Sequence, residues 1–301
     1  MVNLKIELPD SFFDEELRSG FLVTRQRKEI WAVELDLLNA FMEVCSRHNL
    51  QFFVSSGTAL GAIRHGGFIP WDDDIDVVML RPEYNKLCAI AETEFKHPYF
   101  FQTEHTDPGS MRGHAQLRNS LTTAILESER IKKYRFNQGI FIDIFPLDSV
   151  PDNQRDRTRF EHWNRFFWNL SLKYAKISSR YSESKNGRWR IKKVLHFLFG
   201  RNGPNAFYNV YEKHLQWYAG RYTNNVAYLC LGRFGDKNML EEAWYHKAVS
   251  MPFESLSVPV PEDYDAALTR IYGDWRTPRQ TATIHGECFF DTRKPYFEYL
   301  T

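Results

Sequence analysis

Ser55-Ser56-Gly57-Thr58-Ala59-Leu60-Gly61-Ala62-Ile63-Arg64-His65, continued after a turn by Trp71-Asp72-Asp73-Asp74-Ile75-Asp76, is the stretch from which the rest of the chain is read. Ser56-Gly57-Thr58 stands just ahead of a helical run, where backbone N–H groups and the helix dipole can hold a phosphate. From Asp74 to Leu80 apolar and polar residues alternate as in a strand. That alternation puts Asp74 and Asp76 on one face and turns Ile75 into the core. Two carboxylates side by side repel unless a cation sits between them. Only oxygen ligands are on offer, which suits Mg²⁺ or Mn²⁺ rather than zinc. Asp72 shares the parity of Asp74 and Asp76 but follows Pro70-Trp71 into the turn, and ranks below them.

Upstream, Lys28 to His48 carries Ile30, Trp31, Leu35, Leu38, Phe41, Met42 and Cys45 at three- and four-residue steps, an amphipathic helix. A short strand follows over Gln51–Ser55. Downstream, Pro82 opens a helix lasting to about Phe95, and strands are expected at His114–Arg118 and Thr122–Leu126. Gly139–Phe145 reads as a buried strand with one acid, Asp143, between isoleucines. A lone carboxylate there is costly to bury unless it meets a cation, which makes Asp143 the third metal-ligand candidate. Its strand is expected beside the Asp74–Asp76 strand, with all three acids in one cleft and at least one pKa raised by like charge and burial. Plainer explanations exist for each piece alone: a helix start for Ser-Gly-Thr, a solvated turn for Asp-Asp-Asp, a buried arginine partner for Asp143.

The character changes at Pro146. Asp152 to Tyr222 is rich in Trp, Phe, Tyr, Arg and Lys and reads as helical, with breaks at Asn186-Gly187 and Gly200–Pro204. A short helix stopped by glycine follows within Pro259–Gly273. The expected fold is α/β in the α+β sense, with a mixed-sheet catalytic core over 1–149. Residues 150–301 would form a helical, aromatic-rich region and a C-terminal segment packed on it. Lys plus Arg (39) nearly cancels Asp plus Glu (38), so a net charge of +1 supplies no global field for nucleic acid, and none is expected as a partner. The 4 cysteines, in no CxxC pattern, argue against zinc or a disulfide framework. With no signal-peptide pattern and no long apolar run, the expected location is cytoplasmic.

The segment Ser56 to Asp76, quoted above with its continuation Gly66-Gly67-Phe68-Ile69-Pro70, resembles the signature of the LicD family, which includes the fukutin-type proteins. The likeness continues in Gly139-Ile140-Phe141-Ile142-Asp143-Ile144-Phe145-Pro146-Leu147-Asp148. It is weaker in Tyr272-Gly273-Asp274, and nothing is recognised over Asp152–Tyr245. The resemblance implies a nucleotidyltransferase-like fold and a phosphotransferase that takes a phosphorylated alcohol from a CDP-activated donor. Donors would be of the CDP-choline or CDP-ribitol type. The acceptor would be a hydroxyl of a surface glycan such as lipopolysaccharide or teichoic acid, with CMP as the leaving group. Asp74 and Asp76 match the family's metal-binding acids and Asp143 the later acid. Ser56, Gly57, Thr58 and Gly61 would surround the donor phosphates, with Arg64, His65 and Arg118 as further phosphate contacts. For His65, orienting the loop before Pro70 is as good a role as a catalytic one.

Trp189 to Phe199 forms a basic amphipathic pattern, which fits either a helix packed on the core or peripheral contact with the inner face of a membrane carrying a lipid-linked acceptor. Two other functions use the same residues. One is a nucleotidyltransferase moving a nucleoside monophosphate from an NTP to a small molecule or protein. The other is a non-catalytic nucleotide- or glycan-binding protein, against which the intact Asp74, Asp76 and Asp143 speak.

Overall fold

The structure is a computed structural model, and it describes residues 1–130, 134–179, 206–221, 223–231, 238–280 and 288–300. Trp189–Phe199, for which membrane contact is an expectation, lies outside them.

Two short strands, β1 (Glu16–Arg18) and β2 (Phe21–Val23), form a hairpin ahead of the long helix α1 (Arg25–Arg47). Thr24 caps α1, its hydroxyl accepting from the Arg27 N–H at 3.3 Å. Then come β3 (Phe53–Val54), α2 (Ser56–His65), β4 (Asp76–Leu80) and α3 (Arg81–Glu94). Strands β5 (Tyr99–Gln102), β6 (Ala115–Asn119), β7 (Thr123–Leu126) and β8 (Ile140–Val150) follow. The second half holds helices α4 (Gln154–Ser179) and α5 (Ala206–Leu215), strands β9 (Asn225–Ala227) and β10 (Met239–Glu241), and a hairpin of β11 (Ala248–Phe253) and β12 (Leu256–Pro261). Helix α6 (Tyr264–Tyr272) and strand β13 (Cys288–Asp291) complete it.

Strand β8 is the hub of a seven-stranded mixed sheet. It pairs in parallel with β4 over residues 143–147, and antiparallel with β6 over 140–144 and with β9 over 148–150. The fold is therefore α+β, as expected. The sequence-level break at Pro146 is not a break: β8 runs through it to Val150. The Asp143 N–H donates to Ile75 O of the β4 side at 2.8 Å, so by alternation the missing N–H of Pro146 falls on the other edge. There β6 has ended opposite Ile144 and β9 has not begun until Asp148, so no ladder bond is lost. The second half is likewise not helical alone, since β9 and β10 extend the sheet and β13 pairs with β7.

The two sheet faces differ. Val77 and Met79 of β4, Ile142 and Ile144 of β8, and Ala115 and Leu117 of β6 share one face and pack with Trp31, Leu35, Leu38 and Phe41 of α1 in the main core. Val78, Phe145 and Leu147 share the other with Phe53, Val226, Tyr228 and Tyr245. Asp76 and Asp143 have the parity of that second face.

Candidate active site

Asp76 opens β4, and Asp143 is its register partner on β8. Partners on neighbouring strands stand about 4.8 Å apart with side chains on the same face. On the other edge of β8, Gln116 of β6 is the partner of Asp143, so Asp76, Asp143 and Gln116 form one polar rung across three strands. Asp143 is only 4% exposed; its Oδ1 accepts from Gln116 Nε2 at 2.6 Å and meets His114 Nε2 at 2.9 Å. The His114 ring lies 4.2 Å from that of Phe145, which packs edge-on against Tyr228.

Asp74 lies before the strand rather than in it, because β4 begins at Asp76. The preceding loop hangs from α1: Arg27 Nη1 and Trp31 Nε1 both donate to Asp72 O, at 2.8 and 3.0 Å. Burial first, and then the Asp74, Asp143 and Asp72 charges, push the Asp76 carboxyl well above its ordinary range. Burial and the neighbouring Asp74 raise Asp72 to about 8. Four carboxylates thus feel one another here, Asp72 among them although the sequence ranks it lower. Among the described residues, no three His, Cys, Asp or Glu side chains already converge as ligands of one ion.

The Ser56–Thr58 segment is tied to this cluster from the side. Ser56 holds a left-handed backbone, φ 49°, rare for a residue other than glycine and a form of local strain. Its hydroxyl bonds to Asp76 and to Tyr228, and Tyr228 also bonds to Ser55. The Thr58 hydroxyl accepts from the Asp76 N–H at 2.8 Å, so it clamps the strand and is buried away from any ligand. Gly57 leaves room for an acid: a Cβ there would come within 2.5 Å of Asp72 Oδ2. Gly61 faces the loop that follows α2, where a Cβ would lie 2.4 Å from Gly67 O. Its lack of a side chain serves that close approach.

The three basic candidates separate. Arg118 is 1% exposed and points into the sheet. It donates to Gln102 Oε1 at 2.6 Å, to Gly139 O at 2.7 Å and to Gln116 Oε1, and burial lowers its pKa to about 9. All of these partners lie within the protein, so the expected contact of Arg118 with a donor phosphate is replaced here by contacts with Gln102, Gly139 and Gln116. Arg64 is half-buried at the end of α2 and donates to Trp275 O at 3.0 Å. His65 is half-buried beside Arg64 and Arg18, and burial followed by those cations lowers its pKa.

Sequence reasoning passed over several groups. His114 and Gln116 alternate with apolar residues and look like the wet face of β6, yet both faces of that strand are buried. Glu34 is 1% exposed; burial and then Asp73, Asp74 and Asp72 push its carboxyl well up, and its Oε2 has no hydrogen-bond partner among the described residues. The signal was there: Glu34 stands in the apolar stripe of α1, three residues after Trp31 and four before Leu38.

Comparison with known proteins follows the same residues. Residues 49–175 match the family profile described as LicD/FKTN/FKRP, nucleotidyltransferase domain. The chain is 28% identical over 263 residues to the "Lipopolysaccharide cholinephosphotransferase LicD" of Haemophilus influenzae, covering 82% of this chain and 90% of that protein. It is also 28% identical over 111 residues to an uncharacterised protein of Rickettsia prowazekii, covering 37% of each.

Proposed function

We propose, from the LicD-family domain that the chain carries over residues 49–175, that it transfers a phosphorylated alcohol of the phosphocholine type from a CDP-activated donor to a glycan hydroxyl and releases CMP. The observation that carries this reading is the rung of Asp76 beside Asp143, with Asp72 and Asp74 crowding it. A protein that buries so many like charges together leaves a place for positive charge.

The donor set fits Mg²⁺ or Mn²⁺: all oxygens, on adjacent elements, with Asp72 and Asp76 carboxyls that burial and then mutual repulsion disfavour as anions. Asp74, Asp76 and Asp143 would hold the ion. When bound, it supplies Lewis-acid neutralisation of the phosphate oxygens. The chain's residues do the rest. The N-terminal N–H groups of α2 at Ser56–Thr58 orient donor phosphate oxygens, and the half-buried Arg64 and His65 stand at the far end of that helix. The acceptor oxygen attacks the phosphorus bearing the alcohol. A new P–O bond forms, the pyrophosphate P–O bond breaks with CMP taking the electron pair, and the hydroxyl proton passes to a carboxylate of the cluster. Asp143, held by Gln116 and His114, would take that proton.

The test is purified protein given CDP-choline, CDP-ribitol, CTP or ATP with Mg²⁺ and an acceptor glycan. CMP released only with a CDP-alcohol supports the reading. Pyrophosphate from CTP or ATP would make the chain a nucleotidyltransferase. Binding without turnover of any donor would make it a binding protein. The peripheral membrane contact and the lipid-linked acceptor belong to the same proposal. Among the described residues no helix is long and apolar enough to cross a membrane.

A further inference from the structure

We propose that Gln116 and Arg118 are positioning residues that aim Asp143 into the acid cluster, the buried guanidinium acting through the Gln116 amide. An amide has one accepting end and one donating end, and it can flip between them. Flipped, Gln116 would set its oxygen against the Asp143 carboxylate. Arg118 forbids this: its Nη2 donates to Gln116 Oε1, which leaves Nε2 to donate to Asp143 Oδ1 at 2.6 Å. Arg118 fixes a second amide in the same way. Its Nε donates to Gln102 Oε1 at 2.6 Å, while Gln102 Nε2 donates to Asp107 Oδ2 at 2.7 Å and to Asn137 O at 2.9 Å.

The result is two chains of bonds that diverge from Arg118, one through Gln102 to Asp107 and one through Gln116 to Asp143, and in each the amide has one orientation available. Such chains polarise their members and resist rearrangement. The acceptors on Arg118 are three neutral oxygens, of Gln102, Gly139 and Gln116, and the Phe141 ring lies 4.5 Å from its carbon Cζ. A guanidinium is costly to bury on neutral partners alone. Its charge does more than fill space, because through Gln116 it reaches Asp143. His114 Nε2 bears on the same oxygen, Oδ1, at 2.9 Å. Two directed contacts on one oxygen fix the rotation of the carboxylate about its Cβ–Cγ bond. Hydrogen bonds of this kind, from groups that do not touch the ion themselves, orient metal-binding carboxylates in general.

This inference rests on Asp143 as a cation ligand, and the experiment separates the two. Protein stripped with EDTA is titrated with Mn²⁺ without nucleotide, by calorimetry and by the loss of the free-ion paramagnetic resonance signal. Wild type, Asp143→Asn, Gln116→Asn and Arg118→Lys are compared, each with a thermal melt. Asn at 116 keeps the amide but is one methylene short, so it can meet Arg118 or Asp143 but not both. Lys at 118 keeps the charge and loses the fork. We expect both folded variants to bind Mn²⁺ roughly 10- to 100-fold more weakly, with Asp143→Asn weaker still. If Gln116→Asn does not fold, Arg118→Lys carries the test. Folded Gln116→Asn or Arg118→Lys that binds like wild type, while Asp143→Asn fails, overturns the positioning role and leaves the metal reading standing. Wild type that binds no Mn²⁺, or Asp143→Asn that binds unchanged, removes the ligand role of Asp143 and this inference with it.

Discussion

Two aspartates lie five residues apart on β8, both buried, and the chain treats them differently. Asp148, 0% exposed, accepts from Arg81 Nε and Nη2 at 2.5 and 2.6 Å, a two-pronged pair closed by the residue that begins α3. Asp143, on the opposite face, is met by a glutamine amide and an imidazole and has another aspartate as its strand neighbour. An acid that receives a guanidinium from its own chain is finished structure. One met by an amide and an imidazole and set beside more acids is a place prepared for something else. The same β8 sequence, Ile140-Phe141-Ile142-Asp143-Ile144-Phe145-Pro146-Leu147-Asp148, thus carries both, and only the neighbours distinguish them.

The comparison breaks most readily at the acid cluster. Asp74→Asn keeps the shape and removes one charge, so turnover of a CDP-alcohol should fall by ~10³-fold or more while the melt is unchanged. Near-normal turnover in folded protein would place the chemistry elsewhere. The opposite signature is expected for Asp148→Asn. Leaving Arg81 without its counter-charge should cost about 3 kcal/mol in a urea titration, with turnover per folded molecule retained. Equal loss of activity in both variants would erase the distinction between the two aspartates.

A smaller effect sharpens it through pH. Burial and its neighbours raise the Asp72 carboxyl to about 8, so the folded chain keeps a proton that the unfolded chain releases near 4. Stability therefore loses ground as pH rises from about 4 to about 8. In EDTA, Asp72→Asn should melt increasingly above wild type as pH goes from 5 to 8, and Mg²⁺ should narrow that gap. A gap independent of pH and of Mg²⁺ would show that the acids do not feel one another. The smallest effect is at Thr58→Val, which strips the Asp76 N–H of its acceptor. A loss of about 1 kcal/mol is expected on denaturation, and no loss at all would make the clamp dispensable.

The sequence made some of this legible and hid the rest for physical reasons. Alternation placed Ile75 inward and Asp76 outward, and a lone acid among isoleucines marked Asp143, because both signals are local. The meeting of the two strands was inferred from cost alone. What stayed hidden depends on what lies above a strand. His114, Gln116 and Arg118 step at period two, which is the pattern of a solvated face, and only the packed sheet shows that the face is covered. The clamp role of Thr58 depends on a partner 18 residues away. At Pro146 a residue that usually ends strands was tolerated because neither neighbouring strand pairs with it on that edge. Glu34 was legible and went unread: a carboxylate in an apolar stripe is the same signal that marked Asp143.

The tether between α1 and the acid loop bears on where the working unit begins. The span that resembles known relatives as a domain starts at residue 49, whereas α1 ends at Arg47. A fragment cut to that span would keep every acid of the rung. It would lose Arg27 and Trp31, the two donors that hold the Asp72 carbonyl, and the stacking of Trp31 on Phe68 at 4.6 Å. The segment that the family profile matches is therefore smaller than the segment that mechanics requires. Anyone dissecting or transplanting this unit should take its boundary from Thr24, the cap of that helix.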